Sequence, residues 1–351
     1  NRVLIAAAVW AAPLLEQPIM ALANAVFVAG VLQLLFQLPL RAPIRVLPRP
    51  KWRPRHAGVK RAFKLMVPAI FGSSVAQINV LLSGIIASLL PVGSISYLYY
   101  SDRLMEFPLG LFGIALATVT LPYLSRLWAN DERREFAQTL EWSMKIAVLI
   151  AVPAAVGLVM LAAPLVTTLF YGGEFNQRSV AMTVLALQAY ALGLVGFSFV
   201  KVLAPAFFAR EDTRTPVKIG IIALLANLVL GGSSAWYLSS HNIAGPHTGL
   251  AAATSIAALL NAALLYRGLH KAEVISHGPG WGVLLLRVVL ANAAMIAVLM
   301  TLHRSAAWWI DATLTDRVAW LALSVIAGAG VYFIVLVTLG LRPAQFRMRH
   351  D

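Results

Sequence analysis

Apolar runs of about twenty residues recur from one end of this chain to the other, and no other feature limits its possible folds so tightly. A bilayer core of about 30 Å takes roughly 20 helical residues to cross, at about 1.5 Å per residue. Runs of sufficient length cover 18–40, 63–91, 95–123, 137–162, 180–209, 216–238, 246–268, 281–303 and 317–340, and each is predicted to be a membrane-crossing helix. A shorter run at 3–15 reads as the tail of a tenth helix, with further spans expected upstream. Charged residues make up 12% of the chain, where a soluble domain carries about 25%, so a water-facing surface could not be covered. The short alternating segments of a β-barrel are missing. The predicted fold class is an all-α polytopic membrane protein.

The polar connections alternate in charge. Segments 41–62, 124–136, 210–218, 267–280 and 342–351 hold most of the 28 Lys and Arg residues. The connections between them, at 16–18, 91–94, 163–179, 239–247 and 304–317, hold Arg178, Arg304 and Arg317. The positive-inside rule puts the first set in the cytoplasm, and the C-terminus with it. The stretch 41–64 carries nine basic residues from Arg41 to Lys64 and no acid. A nucleic-acid patch has that composition too. Prolines 39, 43, 48, 50 and 54 and the flanking spans favour instead a topology signal that contacts anionic membrane lipids. Nucleic acid is not an expected partner, and this longest polar connection reads as the seam between two helical bundles.

Against this background the run from Tyr97 to Pro108 stands out, because it sets Asp102, Arg103 and Glu106 inside a span. An ionisable group at bilayer depth costs at least about 2.5–3.5 kcal/mol and normally faces a protein interior or a wet cavity. Arg103 lies about nine residues, or roughly 13 Å, from the predicted outer end of its helix. Glu106 is three residues from Arg103 and four from Asp102, so these side chains share a helix face. Pro108 removes a backbone hydrogen bond just below them. The fork of a guanidinium suits a phosphate, and it stays charged at any working pH. Two readings follow: Arg103 contacts an anionic substrate, or it closes two helices as a salt bridge. Lys201, just before Pro205, lines the same cavity or snorkels to the inner surface. Lys145 and Arg287 read as snorkelling residues, and Asn79, Gln188, Asn227, Asn261 and Asn292 as interhelical hydrogen-bonding groups.

Other chemistry finds little support. There is no cysteine, and the seven histidines have no metal-ligand spacing near carboxylates, so neither metal nor cofactor is expected. No phosphate-cradling glycine loop follows a strand, and no nucleophile sits beside a base at a motif spacing. No catalytic residue is assigned. A membrane-embedded polymerase of lipid-linked sugars, using outer-loop acids such as Glu174 or Asp311, is the alternative from the enzyme class.

The run Tyr99-Tyr100-Ser101-Asp102-Arg103-Leu104-Met105-Glu106-Phe107-Pro108, followed by Gly110, Gly113, Ala115-Leu116 and Leu121-Pro122, resembles the MurJ (MviN) family of lipid II flippases. So do Lys201 to Arg210 with Asp212 and Thr215-Pro216-Val217-Lys218, the stretch from Gly30 to Pro39, and the segment Asn261 to Tyr266. The resemblance implies a fourteen-helix fold of the multidrug and oligosaccharidyl-lipid exporter superfamily. There, two six-helix lobes form a V around a cationic cavity, and two helices follow. This chain would correspond to helices 5 to 14: 1–40 closing the first lobe, 41–56 a basic linker, 57–270 the second lobe, 281–340 the extra pair with its proposed lipid-tail groove, and 341–351 a cytoplasmic tail. It implies a transporter of the bacterial cytoplasmic (inner) membrane that flips lipid II, an undecaprenyl-diphosphate-linked disaccharide peptide, by alternating access. Arg103 would contact the headgroup, and Asp102 and Glu106 would position it; Lys201, from its place in its span, is a further candidate for substrate contact. Arg210 and Asp212 would sit at the cytoplasmic gate end, where a charge pair could form and break as the lobes rock. Some relatives hold sodium with acids in the second lobe. Here Asn79 and Asn227 stand in the corresponding spans, so sodium coupling is not expected. Another polyprenyl-diphosphate-sugar or drug exporter of the superfamily is the nearer alternative.

Overall fold

Apart from one bridge between Gly172 and Phe175, helix is the only regular structure among the described residues. The computed structural model describes residues 2–14, 18–41, 77–110, 115–241, 243–275 and 280–341. Most of the basic connection at 41–62, the first half of the span at 63–91 and the tail at 342–351 lie outside them. The chain divides into two compact units, Asn1–Lys64 and Leu65–Asp351.

In the first unit, α1 (Arg2–Ala6) widens into a π turn (Ala7–Ala11) and then tightens into a 3-10 turn (Ala12–Leu14). Helix α2 (Pro18–Arg41) opens with proline in the first turn, where the missing N–H costs nothing. It buries Ala21 and Ala25.

The second unit begins with α3 (Gln77–Ser88). There follow α4 (Ser94–Pro108), α5 (Ala115–Ala129), α6 (Arg133–Met160) and α7 (Ala162–Phe170). Next come α8 (Gln177–Ala209), α9 (Arg214–Ser240) and α10 (His247–Lys271). The unit ends with α11 (Trp281–Thr301), α12 (Ala306–Asp311) and α13 (Leu314–Thr338). Among the described residues six helices (α6, α8, α9, α10, α11 and α13) are long and apolar enough to cross a membrane. Within the predicted span 95–123 the described residues form α4 and the first part of α5; 111–114 lie outside the described residues. Two connections expected to be loops contain helices. The stretch 163–179 holds α7, because Val166, Thr167 and Thr168 bury against the bundle. The stretch 304–317 holds α12, capped by Ser305, whose hydroxyl accepts the Trp308 N–H at 3.2 Å.

Helix α8 is the axis of this unit. It buries residues along its whole length, from Thr183 and Ala186 through Leu194 to Phe207, while Leu185, Leu192 and Phe208 stay exposed, as expected of a helix packed against several others with one side left to lipid. Its close partner is α10, with which it shares a seam of small residues. A Cβ on Gly196 would stand 2.7 Å from the Leu259 nitrogen, and one on Gly193 would stand 2.6 Å from the Ser255 Cα. The Ser255 hydroxyl donates to the Ala189 carbonyl at 2.7 Å across this seam. Close backbone approach through small residues is how helices associate where lipid offers no hydrophobic gain.

Three buried clusters result. One joins α4 and α7 to the first half of α8 through Leu98, Met105, Val166 and Leu187. A second joins α5, α6 and the second half of α8 through Leu124, Leu127, Leu140 and Phe207. The third seats α11 and α13 on α6 through Val148, Leu149, Val288, Met295 and Tyr332. The Tyr332 hydroxyl donates to the Leu149 carbonyl at 2.8 Å in this last core. Outward faces are apolar as well: Val289, Ile326, Phe333 and Ile334 are each about 60% exposed or more, which is what a surface bathed in hydrocarbon requires.

Candidate substrate-contacting site

Helix α4 enters from Gly93, whose φ of +96° belongs to the left-handed region. A Cβ there would also meet the Tyr97 ring at 2.6 Å, so glycine is required on both counts. The Ser94 hydroxyl donates to the Pro91 carbonyl at 2.7 Å and fixes the first turn. One face of α4, with Leu98, Ser101 and Met105, is buried against α8. Ser101 anchors that face: its hydroxyl lies 2.8 Å from the Thr183 carbonyl of α8 and 2.7 Å from its own Tyr97 carbonyl. After Pro108 the backbone widens into a π turn at Leu109 and Gly110, consistent with the carbonyl that a proline leaves unpaired.

Two of the three charges lie away from that face. Arg103 and Glu106 form an ion pair, and their side chains are 55% and 50% exposed. The Arg103 guanidinium also sits 5.1 Å above the Tyr99 ring. Tyr99 was not singled out from sequence, although its i−4 spacing to the arginine was there to be read. Arg103 is thus held from two sides while half of it stays open. Asp102 is partly buried, lies within electrostatic reach of Tyr190 on α8, and makes no ion pair within 4 Å among the described residues.

Lys201 does not join this group. It is exposed on α8, and Thr183, the residue level with Ser101, precedes it by about 27 Å of helix. Helices α4 and α5 run alongside α8 in the same direction: Ser101 meets Thr183, and Trp128 meets Arg210 at the same offset of 82 residues. Lys201 therefore stands level with α5 rather than with the arginine.

At the far end of this pairing, the Arg210 guanidinium lies 5.0 Å from the Trp128 ring, which Arg133 covers at 3.3 Å. Burial pushes Arg210 below the usual guanidinium range, Arg133 adds to this and Asp212 opposes it. Asp212 makes no ion pair with Arg210 within 4 Å among the described residues. It accepts the Thr215 N–H at 3.0 Å and so closes the first turn of α9. Its burial alone would raise the carboxyl; hydrogen bonds from Thr215 and Arg214 and the charge of Arg210 outweigh this and hold it below the usual aspartate range.

Asn79 and Asn227, noted singly in the sequence, meet. The Asn227 side-chain N–H donates to Asn79 Oδ1 at 2.7 Å, and the Thr254 hydroxyl donates to Asn227 Oδ1 at 3.2 Å. This neutral chain ties α3 to α9 and α10. No cluster of three or more His, Cys, Asp or Glu suited to a metal occurs among the described residues.

The family model for the lipid II flippase MurJ matches residues 1–319. The chain is 44% identical over 346 residues to a probable lipid II flippase MurJ of Vibrio cholerae, a match that covers 97% of this chain and 64% of that protein. It is 43% identical over 348 residues to a probable lipid II flippase MurJ of Haemophilus influenzae, covering 97% and 67%. Against the lipid II flippase MurJ of Burkholderia cenocepacia it is 38% identical over 357 residues, covering 99% and 67%. The chain thus spans about two thirds of the length of these relatives. A solved structure of a lipid II flippase MurJ in an inward closed conformation superposes with a TM-score of 0.69 at 23% identity, covering 91% of this chain and 60% of that one, which extends the likeness to the fold. With its helices in that arrangement and its sequence matched along nearly its whole length, the chain belongs to the lipid II flippase MurJ family.

Proposed function

We propose that this chain is the larger part of a transporter that flips lipid II from the cytoplasmic to the outer leaflet of the bacterial cytoplasmic membrane. The observation that carries the reading is Arg103: a guanidinium on a helix lodged among membrane-crossing ones, braced by Glu106 and Tyr99, yet half open. A purely structural salt bridge would be closed by a second helix, whereas Glu106 lies on the same helix as Arg103. An open, pre-oriented guanidinium offers two parallel N–H donors to a diphosphate oxygen pair. The cost of carrying a polyanionic headgroup through hydrocarbon falls when a fixed cation replaces part of its hydration. The headgroup crosses while the polyprenyl tail stays in the bilayer, and rocking of two lobes alternates the exposure. Bonds are neither made nor broken. Asp102 and Glu106 tune the arginine; Arg210, held against Trp128, and Asp212 belong to the cytoplasmic gate region. Lys201 stands on α8 between the level of Arg103 and the cytoplasmic gate region, so it meets the headgroup early in its passage. The charge asymmetry of the connections supports a cytoplasmic C-terminus, and the basic stretch 41–64 supports contact with anionic lipids.

The test is headgroup access in cells carrying the full-length protein with Arg103→Ala or Arg103→Lys. An externally added enzyme that cleaves lipid II reports how much has crossed. Arg103→Ala at normal membrane levels should abolish cleavage and accumulate lipid II inside, and Arg103→Lys should fail if the bidentate geometry matters. Unchanged cleavage in Arg103→Ala would refute the substrate role.

A further inference from the structure

At the end of the second unit where α6 and α11 begin and α13 ends, a cavity of about 490 Å³ opens between two matching stripes. Gln138, Glu141, Trp142 and Lys145 line it from α6; Gly280, Val283, Leu284 and Arg287 line it from α11; Leu341 closes one side. Both stripes follow the 0, 3, 4, 7 spacing that puts residues on one helix face. The sequence reading of Lys145 and Arg287 was independent snorkelling; the structure brings both to one cavity.

The charge arithmetic is specific. Lys145 Nζ pairs with Glu141 Oε1 at 2.8 Å, and Glu141 is 9% exposed against 25% for the lysine. That pair is neutral as a unit. Arg287 has no ion-pair partner among the described residues, so the described lining carries one net positive charge. Lys145 is further held 5.7 Å from the Trp281 ring. Trp142 and Trp281 place this end of the helices at the depth where tryptophan collects, the boundary between headgroups and hydrocarbon. Val283, Leu284 and Leu341 make part of the wall apolar.

A ligand for this cavity needs one negative charge, hydrogen-bond acceptors for a guanidinium, and an apolar part that can remain in the bilayer. We infer that Arg287 and Lys145 hold the phosphodiester of an anionic glycerophospholipid in the cavity between α6 and α11. The Arg287 fork takes the phosphate oxygens, Lys145 supplies the second contact, Gln138 reaches the headgroup, and the acyl chains leave along Val283. One phosphodiester matches one net charge; a diphosphate would exceed it. This makes the cavity separate in ligand class from the Arg103 site, and its occupant would fix α11 and α13 against α6 at the membrane surface.

Native mass spectrometry of the purified protein, with phosphatidylglycerol, phosphatidylethanolamine and soluble glycerol 3-phosphate as probes, tests this. Wild-type protein should retain phosphatidylglycerol over phosphatidylethanolamine, and Arg287→Gln should lose about tenfold in affinity, the scale of one charge-assisted contact. Arg287→Lys should keep part of it. Should Arg287→Gln fail to fold, Val283→Trp fills the cavity from its exposed side and should also displace the lipid. Equal retention by wild type and both variants overturns the proposal. So does competition by glycerol 3-phosphate at the concentration of the lipid, which would mean a site for free anions. Loss of lipid II flipping in Arg103→Ala with phosphatidylglycerol retention intact keeps the two sites distinct.

Discussion

Adding one methyl group to Gly196 should separate α8 from α10, and its effect can be worked from the geometry. The new Cβ would lie 2.7 Å from the Leu259 nitrogen, 2.8 Å from the Ala258 carbonyl carbon and 3.0 Å from its oxygen. Ordinary contact begins at about 3.4 Å, so the helices must part by roughly 0.5–1 Å. The clashing atoms are backbone and cannot rotate aside. Overpacking of this kind costs about 1–3 kcal/mol, and the restored alanine propensity returns up to about 1 kcal/mol. A net loss of about 1–2 kcal/mol is expected for Gly196→Ala. Gly157 in α6 is the control, because a Cβ there meets nothing within 4 Å. Gly157→Ala should therefore gain about 0.5–1 kcal/mol. Unfolding of the two variants in mixed micelles gives the comparison directly. If Gly196→Ala is no less stable than Gly157→Ala, the small-residue seam does not hold α8 to α10 in the way described.

Tyr332→Phe deletes the buried bond to the Leu149 carbonyl and should lower stability by about 1 kcal/mol, read as a lower melting temperature that Phe333→Leu, on the exposed neighbour, does not reproduce. Asn79→Ala and Asn227→Ala should be non-additive by about 0.6–1.7 kcal/mol in a double-mutant cycle; strict additivity would mean that the hydrogen bond between them contributes nothing. Asp212 titrates below its ordinary value of 3.8, so its contribution is complete above that pH and is lost as pH falls through the lower folded value. Melting temperature measured from about pH 5 to about pH 3 should therefore fall more steeply for wild type than for Asp212→Asn, and identical acid slopes would remove the capping role.

Long apolar periodicity made the large helices legible. The run 137–162 became Arg133–Met160, 180–209 became Gln177–Ala209, and 317–340 became Leu314–Thr338. Errors of a few residues arise because polar first turns such as Arg133-Arg134-Glu135 continue a helix beyond its apolar part. Helices α7 and α12 were not legible: 9 and 6 residues are too short for a hydropathy signal, and what makes them helical is tertiary burial and a serine cap. Arg103 was visible because a charge in an apolar run is rare, and Glu106 because i,i+3 spacing is local. The Asn79–Asn227 bond joins residues 148 apart, and the Arg287 cavity joins three helices; neither leaves a trace in local pattern. The hydrogen bond from the Thr215 N–H to Asp212 was not legible either, because it depends on where α9 begins.

Helix α6 is the only described helix with buried residues in all three clusters: Leu158 in the first, Phe136 and Leu140 in the second, Val148 and Leu149 in the third. It therefore acts as a shaft on which the terminal pair α11 and α13 is mounted. If two lobes rock as proposed, this shared packing would carry that pair along with α4 and α8. In that proposed motion a lipid lying against α11 and α13 would travel with them and not with the bulk bilayer. Second-site mutations that rescue a weakened α4 should accordingly be sought along α6, where one side chain can reset the spacing of three layers at once.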